Sequence, residues 1–169
     1  MCRSSRVVVK IVDNFLSKEE FSVVRDNLVF NTGFPFFLHQ GVTKQGDSNS
    51  HWFGAHIVYD QGVPTSDVYD EVGNIFFPYL KMKSLLRIKI NFYPNTHEVV
   101  EHTSHIDYDF SHTAAIFSLN TCDGYTKIGN DVIVDSIENR MVFFDGSNQH
   151  RSTTTSNQSG RFNIAFNYL

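Results

Sequence analysis

From residue 85 to the end of the chain, short runs rich in Ile, Val, Phe and Tyr recur at close intervals, each broken by Asn, Asp, Gly or Ser. The runs fall at residues 85–93, 98–105, 113–119, 125–128, 132–134, 141–145, 149–154 and 162–168. β-Branched and aromatic residues suit a pleated, half-buried surface, and connections this short join antiparallel neighbours rather than the crossovers of a parallel sheet. About eight such strands in succession predict a sandwich, barrel or jelly roll.

The first half reads as support for that β-domain. Residues 6–12 form a β-branched run. Ser17 and Glu20 then stand three apart, as a capping box requires, and Phe21, Val24 and Leu28 give the helix predicted over 17–28 one apolar face. Residues 31–50 break into Gly, Pro, Asn, Ser and aromatic residues, and the part from 34 to 50 is expected to be a loop acting as a lid. Strand character returns over 51–59, and Pro64-Thr65-Ser66-Asp67 opens a helix expected to run to about 82, weakened by Gly73. With no repeat and no linker, residues 1–169 are expected to form a single domain. Residues 1–84 supply support and lid, 85–169 supply the main jelly-roll strands, and the helices pack outside.

A chain of 169 residues can close a hydrophobic core without a disulfide. Its net charge is -4 and its basic residues form no run, so charge gives no support to a nucleic-acid partner. Cys2 and Cys122 have no metal-site or disulfide-framework spacing, which makes a reducing, cytoplasmic setting the expectation. No apolar run approaches the roughly 20 residues of a membrane span, and the opening residues lack the apolar stretch of a secretory signal.

Three signals carry chemistry. In His105-Ile106-Asp107, strand alternation would turn the imidazole and the carboxylate to one side and Ile106 to the other. Glu101, Thr103 and Asp109 share that parity, making the face unusually polar. His150 follows the run 141–145 and the turn Gly146-Ser147-Asn148. Two His and one carboxylate on one face of an octahedral ferrous ion leave the opposite positions open, which is how oxygen-activating iron sites are built. Gly160-Arg161-Phe162-Asn163 opens the last run, so His150 and Arg161 are expected on consecutive antiparallel strands, close enough for one small diacid to span metal and guanidinium. A planar fork of donors suits a carboxylate better than a lysine does.

In order, Tyr93-Pro94, His105-x-Asp107, Ile116 to Asn120, Asp123-Gly124-x-Thr126, Arg140 to Phe144, His150 and Gly160-Arg161 make a set that resembles the prolyl-hydroxylase-like branch of the iron(II)/2-oxoglutarate-dependent oxygenases. The resemblance covers roughly residues 87–169. It implies a double-stranded β-helix of two four-stranded sheets, with Fe(II) held by His105, Asp107 and His150. It also implies that Arg161 grips the distal carboxylate of 2-oxoglutarate and that Tyr93 lines the co-substrate pocket. The implied reaction uses dioxygen to hydroxylate a small molecule or protein side chain while 2-oxoglutarate is decarboxylated to succinate. Ser118 stands where oxygen-sensing prolyl hydroxylases carry a tyrosine, so one co-substrate hydrogen bond is altered or supplied elsewhere. Asn163 stands two after Arg161, where other branches carry serine; both residues count with the co-substrate pocket.

Two other readings stay open on sequence: a non-redox, cupin-like metalloprotein acting as isomerase or hydrolase, and a non-catalytic jelly-roll binding module. An arginine after the second histidine weighs against the first, and an intact triad against the second. His112 competes as a ligand, although its nearness to Asp107 favours a loop position. His51, His56, His97 and His102 read as surface or rim residues, and Trp52, Phe34, Phe36 and Phe37 as core before cleft.

Overall fold

The computed structural model describes residues 7–41 and 52–169. Along the chain these form β1 (Lys10–Val12), α1 (Lys18–Leu28), β2 (Phe37–Gln40), β3 (Trp52–Asp60), β4 (Val63–Pro64), α2 (Tyr69–Phe76) and β5 (Leu85–Pro94). There follow β6 (Thr113–Ser118), β7 (Tyr125–Ile128), β8 (Val132–Asp135), β9 (Arg140–Asp145), β10 (His150–Ser152) and β11 (Gly160–Tyr168). The large sheet runs β1-β9-β6-β11-β5-β3-β2 with β4 beside β3, and a small sheet runs β10-β7-β8. All strand pairs are antiparallel, giving the expected mainly β jelly roll with flanking helices.

α1 starts as its sequence requires: the Ser17 side chain accepts from the Glu20 N–H, and Glu20 reaches back to the Ser17 N–H. Its buried residues Phe21, Val24 and Leu28 join Val72 and Phe76 of α2 against Ile88, Ile90, Phe117, Ile164 and Phe166 of the large sheet. The Phe76 ring lies 4.9 Å from both Phe117 and Phe166. Burial of such a side chain contributes about 1.5–3 kcal/mol, so this layer holds the helices to the sheet.

Four expectations are corrected. The second helix is far shorter than 64–82: the Thr65 N–H still bonds the Val58 carbonyl of β3, and Pro78 cannot continue the helix. Residues 98–105 are not a strand, because the Val100 N–H donates to the Thr154 hydroxyl in place of a ladder carbonyl. Only isolated bridges remain there, Glu101 with Thr153 and His105 with His150, so this segment flanks β10 and the small sheet has three strands in place of the expected four. The large sheet exceeds four strands because β1 to β4 extend it at both edges. Within the loop expected over 34–50, Phe37–Gln40 is an exposed edge strand on β3, and residues 42–50 lie outside the described residues, as does His51.

Phe34 and Phe36 pack on the core, whereas Phe37 and Trp52 are more than half exposed. His97 is exposed, but His56 and His102 are buried; His56 bonds the Pro35 carbonyl and the Ser66 hydroxyl. Among the described residues no helix is long and apolar enough to cross a membrane.

Candidate metal centre

Alternation gives β5 and β11 two chemically distinct faces. Ile88, Ile90, Ile164 and Phe166 turn to the helices. The residues between them turn to the gap separating the sheets, and the register sets them opposite one another: Tyr93 with Arg161, Asn91 with Asn163, Lys89 with Ala165 and Arg87 with Asn167. A narrow cavity lies over this face and also touches His105, Asp107 and His150.

The donor atoms of His105, Asp107 and His150 all lie within 4.8 Å of one another. His105 and His150 exchange backbone hydrogen bonds of 2.9 and 2.8 Å, which sets their rings 4.5 Å apart. The regular strand expected through Asp107 stops at this bridge; Asp107 comes to the same side because its N–H donates to the Gly146 carbonyl at 3.2 Å. His150 Nε2 is 3.6 Å from Asp107 Oδ2. The His150 Nδ1–H donates to the Asn148 carbonyl at 2.9 Å and that of His105 faces the Thr103 carbonyl at 3.4 Å, so each Nε2 keeps its lone pair for the cluster.

Protonation states match those a metal needs. Burial, reinforced by the charge of His150, brings His105 down to about 4, and burial also lowers His150. Burial raises Asp107, but the charges of Arg87 and His150 and a hydrogen bond from Asn167 outweigh it and hold the carboxyl at about 2. Neutral imidazoles beside an ionised carboxylate at neutral pH are a divalent-metal donor set, and two nitrogens with one oxygen suit ferrous iron.

Sequence reasoning missed what holds Asp107. Arg87 donates to Oδ1 at 2.6 Å and Asn167 donates to Oδ2 at 2.9 Å. Asn167 is fixed in turn, accepting from Arg87 Nε at 3.2 Å and donating to His112 Nε2 at 3.1 Å. The His112 Nδ1–H donates to the Phe110 carbonyl at 2.9 Å, so this histidine stands in a loop as expected, buried and one residue removed from the carboxylate. The available signal was parity: Arg87, Lys89, Asn91 and Tyr93 alternate with Ile88, Ile90 and Phe92 in the longest strand.

Arg161 is 1 % exposed. His150 and Arg161 are not on paired strands as expected; β10 belongs to the small sheet and β11 to the large one, because β6 and β5 occupy both edges of β11. The arginine bridges the gap instead, donating to Ser136 Oγ at 2.5 Å, Thr126 Oγ1 at 2.7 Å and the Thr153 carbonyl at 3.3 Å. Its guanidinium carbon sits 5.4 Å from the Tyr93 ring centre. Gly124 makes this path possible, since a Cβ there would stand 2.5 Å from the Thr154 carbonyl and 2.8 Å from Arg161 Cδ. Asn163 lines the cavity and bonds Asn91 at 2.8 Å, while Ser118 is paired with Asn163 on β6 and buried beside it.

No protein-family model and no curated protein matches the sequence. Solved structures do match. An oxidoreductase of the 2OG-Fe(II) oxygenase family from Burkholderia pseudomallei aligns over 98% of this chain and 86% of its own, with TM-score 0.67 and 12% identity. A Pseudomonas putida prolyl-4-hydroxylase aligns over 96% and 93%, with TM-score 0.61 and 14% identity. A non-heme alpha ketoglutarate dependent epimerase from nogalamycin biosynthesis aligns over 97% and 78%, with TM-score 0.67 and 14% identity. The chain has the fold that these 2OG-Fe(II) oxygenases and prolyl hydroxylases share.

Proposed function

We propose that this chain, built on the fold of the 2OG-Fe(II) oxygenases, is itself an iron(II)- and 2-oxoglutarate-dependent dioxygenase that hydroxylates its substrate. One observation carries the reading: a compact His105, Asp107 and His150 donor set lies in a cavity whose lining residues Tyr93 and Thr126 touch a buried arginine, Arg161, that has only neutral hydrogen-bond partners. A metalloprotein with no diacid to bind has no use for that arginine.

In this reading His105, Asp107 and His150 hold the iron, while Arg87 and Asn167 keep the Asp107 carboxylate turned toward it. Arg161 takes the distal carboxylate of 2-oxoglutarate, with Tyr93 beneath it and Asn163 and Ser118 on the neighbouring wall. The phenol stays protonated: burial raises its pKa against the lowering effect of the Arg161 charge and of hydrogen bonding with Ser152 and Asn163, so it donates to an anion. When bound, iron with 2-oxoglutarate supplies a two-electron oxidation of a substrate C–H bond by dioxygen, the co-substrate leaving as succinate and carbon dioxide. The protein binds, orients and excludes water. Residues 1–169 act as one domain, 1–84 supporting the strands of 85–169.

The test is an anaerobic ferrous titration with 2-oxoglutarate that follows the weak visible charge-transfer band of the chelate, then succinate formation on admitting air. Both are expected. Tight ferrous binding with neither band nor succinate would overturn the proposal in favour of a non-redox metalloprotein.

A further inference from the structure

Lys89 occupies the middle of β5, between Ile57 of β3 and Ala165 of β11, and its side chain lines the cavity. Central strand positions ordinarily carry β-branched or aromatic residues, and an ammonium there loses hydration that an ion pair normally replaces. Every other cation around the cavity has a partner in hand. Arg87 is held by Asp107 at 2.6 Å and Arg151 by Glu101 at 3.0 Å. Arg161 has its three neutral acceptors. Lys89 enters none of the ion pairs among the described residues, and its Nζ lies 5.8 Å from the centre of the Phe53 ring.

Lys89 lines the same cavity as His105, Asp107 and His150. Burial and the charge of Arg87, partly offset by the Asp107 carboxylate that Arg87 already holds, bring the lysine itself down to about 8, which leaves it mostly protonated at neutral pH. Charge matching then points outward. In the function proposed above, one carboxylate of 2-oxoglutarate meets Arg161 and the other meets the metal, while Arg87 and Asp107 answer each other. Lys89 is left facing the loaded site with no anion of its own, and a cationic substrate would be repelled there.

We propose that Lys89 binds a carboxylate of the prime substrate, so that the enzyme selects an organic acid over its neutral or cationic analogues. This rests on the oxygenase reading. Ala165, paired with Lys89, presents only a methyl group to the same cavity, and the contact with the incoming group is a charge-assisted hydrogen bond.

The probe is propionate, with propionamide as its uncharged isostere, titrated anaerobically into protein loaded with ferrous iron and 2-oxoglutarate. The visible band and the thermal midpoint are followed together. Propionate alone is expected to perturb the band and raise the midpoint, saturably, in wild type and in Lys89→Arg. In Lys89→Met its affinity should fall about 10- to 100-fold, with half-saturation by 2-oxoglutarate unchanged within about twofold. Equal responses to propionate and propionamide, or to propionate in wild type and Lys89→Met, would overturn the proposal. So would a raised 2-oxoglutarate requirement in Lys89→Met, which would assign the lysine to the co-substrate. A carboxylate-dependent rise in midpoint without any band would instead sink the oxygenase reading and leave Lys89 as an anion site.

Discussion

Replacing Arg161 with methionine separates what this side chain does for the fold from what it does for a ligand. The guanidinium is 1 % exposed and has no carboxylate partner among the described residues. Burying an unmatched ion costs several kcal/mol, and its hydrogen bonds to Ser136, Thr126 and the Thr153 carbonyl return about 1.5–3 kcal/mol each. Methionine removes the charge and keeps most of the volume, but strands two hydroxyls and a carbonyl at about 1–3 kcal/mol apiece. The lost hydrogen bonds and stranded acceptors outweigh the relieved burial cost, so the ligand-free variant should be less stable by on the order of a few kcal/mol. Co-substrate binding should lose about 2–4 kcal/mol, or about 30- to 1000-fold in affinity. At 2-oxoglutarate a hundredfold above the wild-type Kd, ligation stabilises wild type by about 2.7 kcal/mol, a rise of about 5–10 °C in a domain of this size. The variant should show no more than about a third of that rise while binding ferrous iron normally, and Arg161→Lys should fall between. Identical 2-oxoglutarate titrations for wild type and Arg161→Met would refute the argument.

Alanine at His105, Asp107 or His150 should abolish tight ferrous binding while circular dichroism still reports a folded domain; full iron content in the His150 variant would exclude it as a ligand. Asn167→Ala should weaken iron about 10- to 100-fold in competition with a chelator by freeing one Asp107 oxygen, and an unchanged constant would show that Arg87 alone suffices. Partial burial raises the Asp145 carboxyl, yet hydrogen bonds from Ser147 and Ser111 hold it at about 2 against an ordinary 3.8. A depressed folded-state pKa contributes stability that is present above pH 3.8 and is lost as pH falls through about 2, so Asp145→Asn should flatten the acid limb of a stability-against-pH curve between those values.

The strands from 113 onward were legible because each is a local run with turn residues at both ends, and the start of α1 because its capping box spans only the four residues from Ser17 to Glu20. What escaped depends on partners distant in sequence. Thr154 interrupts the ladder at Val100 through its side chain, which no pattern within 98–105 encodes. The grouping of His105, Asp107 and His150 was readable from their residue types, whereas Arg87 and Asn167 reach Asp107 only once β5 and β11 pair, about 80 residues apart, and His112 reaches it only through Asn167. Pro78 was a local signal, and it outranked the apolar pattern that suggested a longer helix.

The β5–β11 ladder, with the candidate metal cleft on one side and apolar core on the other, also limits how this protein can change by descent. Inserting or deleting one residue between Arg161 and Asn167 would rotate every later side chain to the opposite face, delivering Phe166 to the cleft and Asn167 to the helices. Point substitution can therefore alter the cavity wall at Lys89 or Asn163 in single steps, while changes of length are confined to the turns at the strand ends. Lineages related to this chain should vary in turn length around residues 155–159 and keep the spacing from Arg161 to Asn167 fixed.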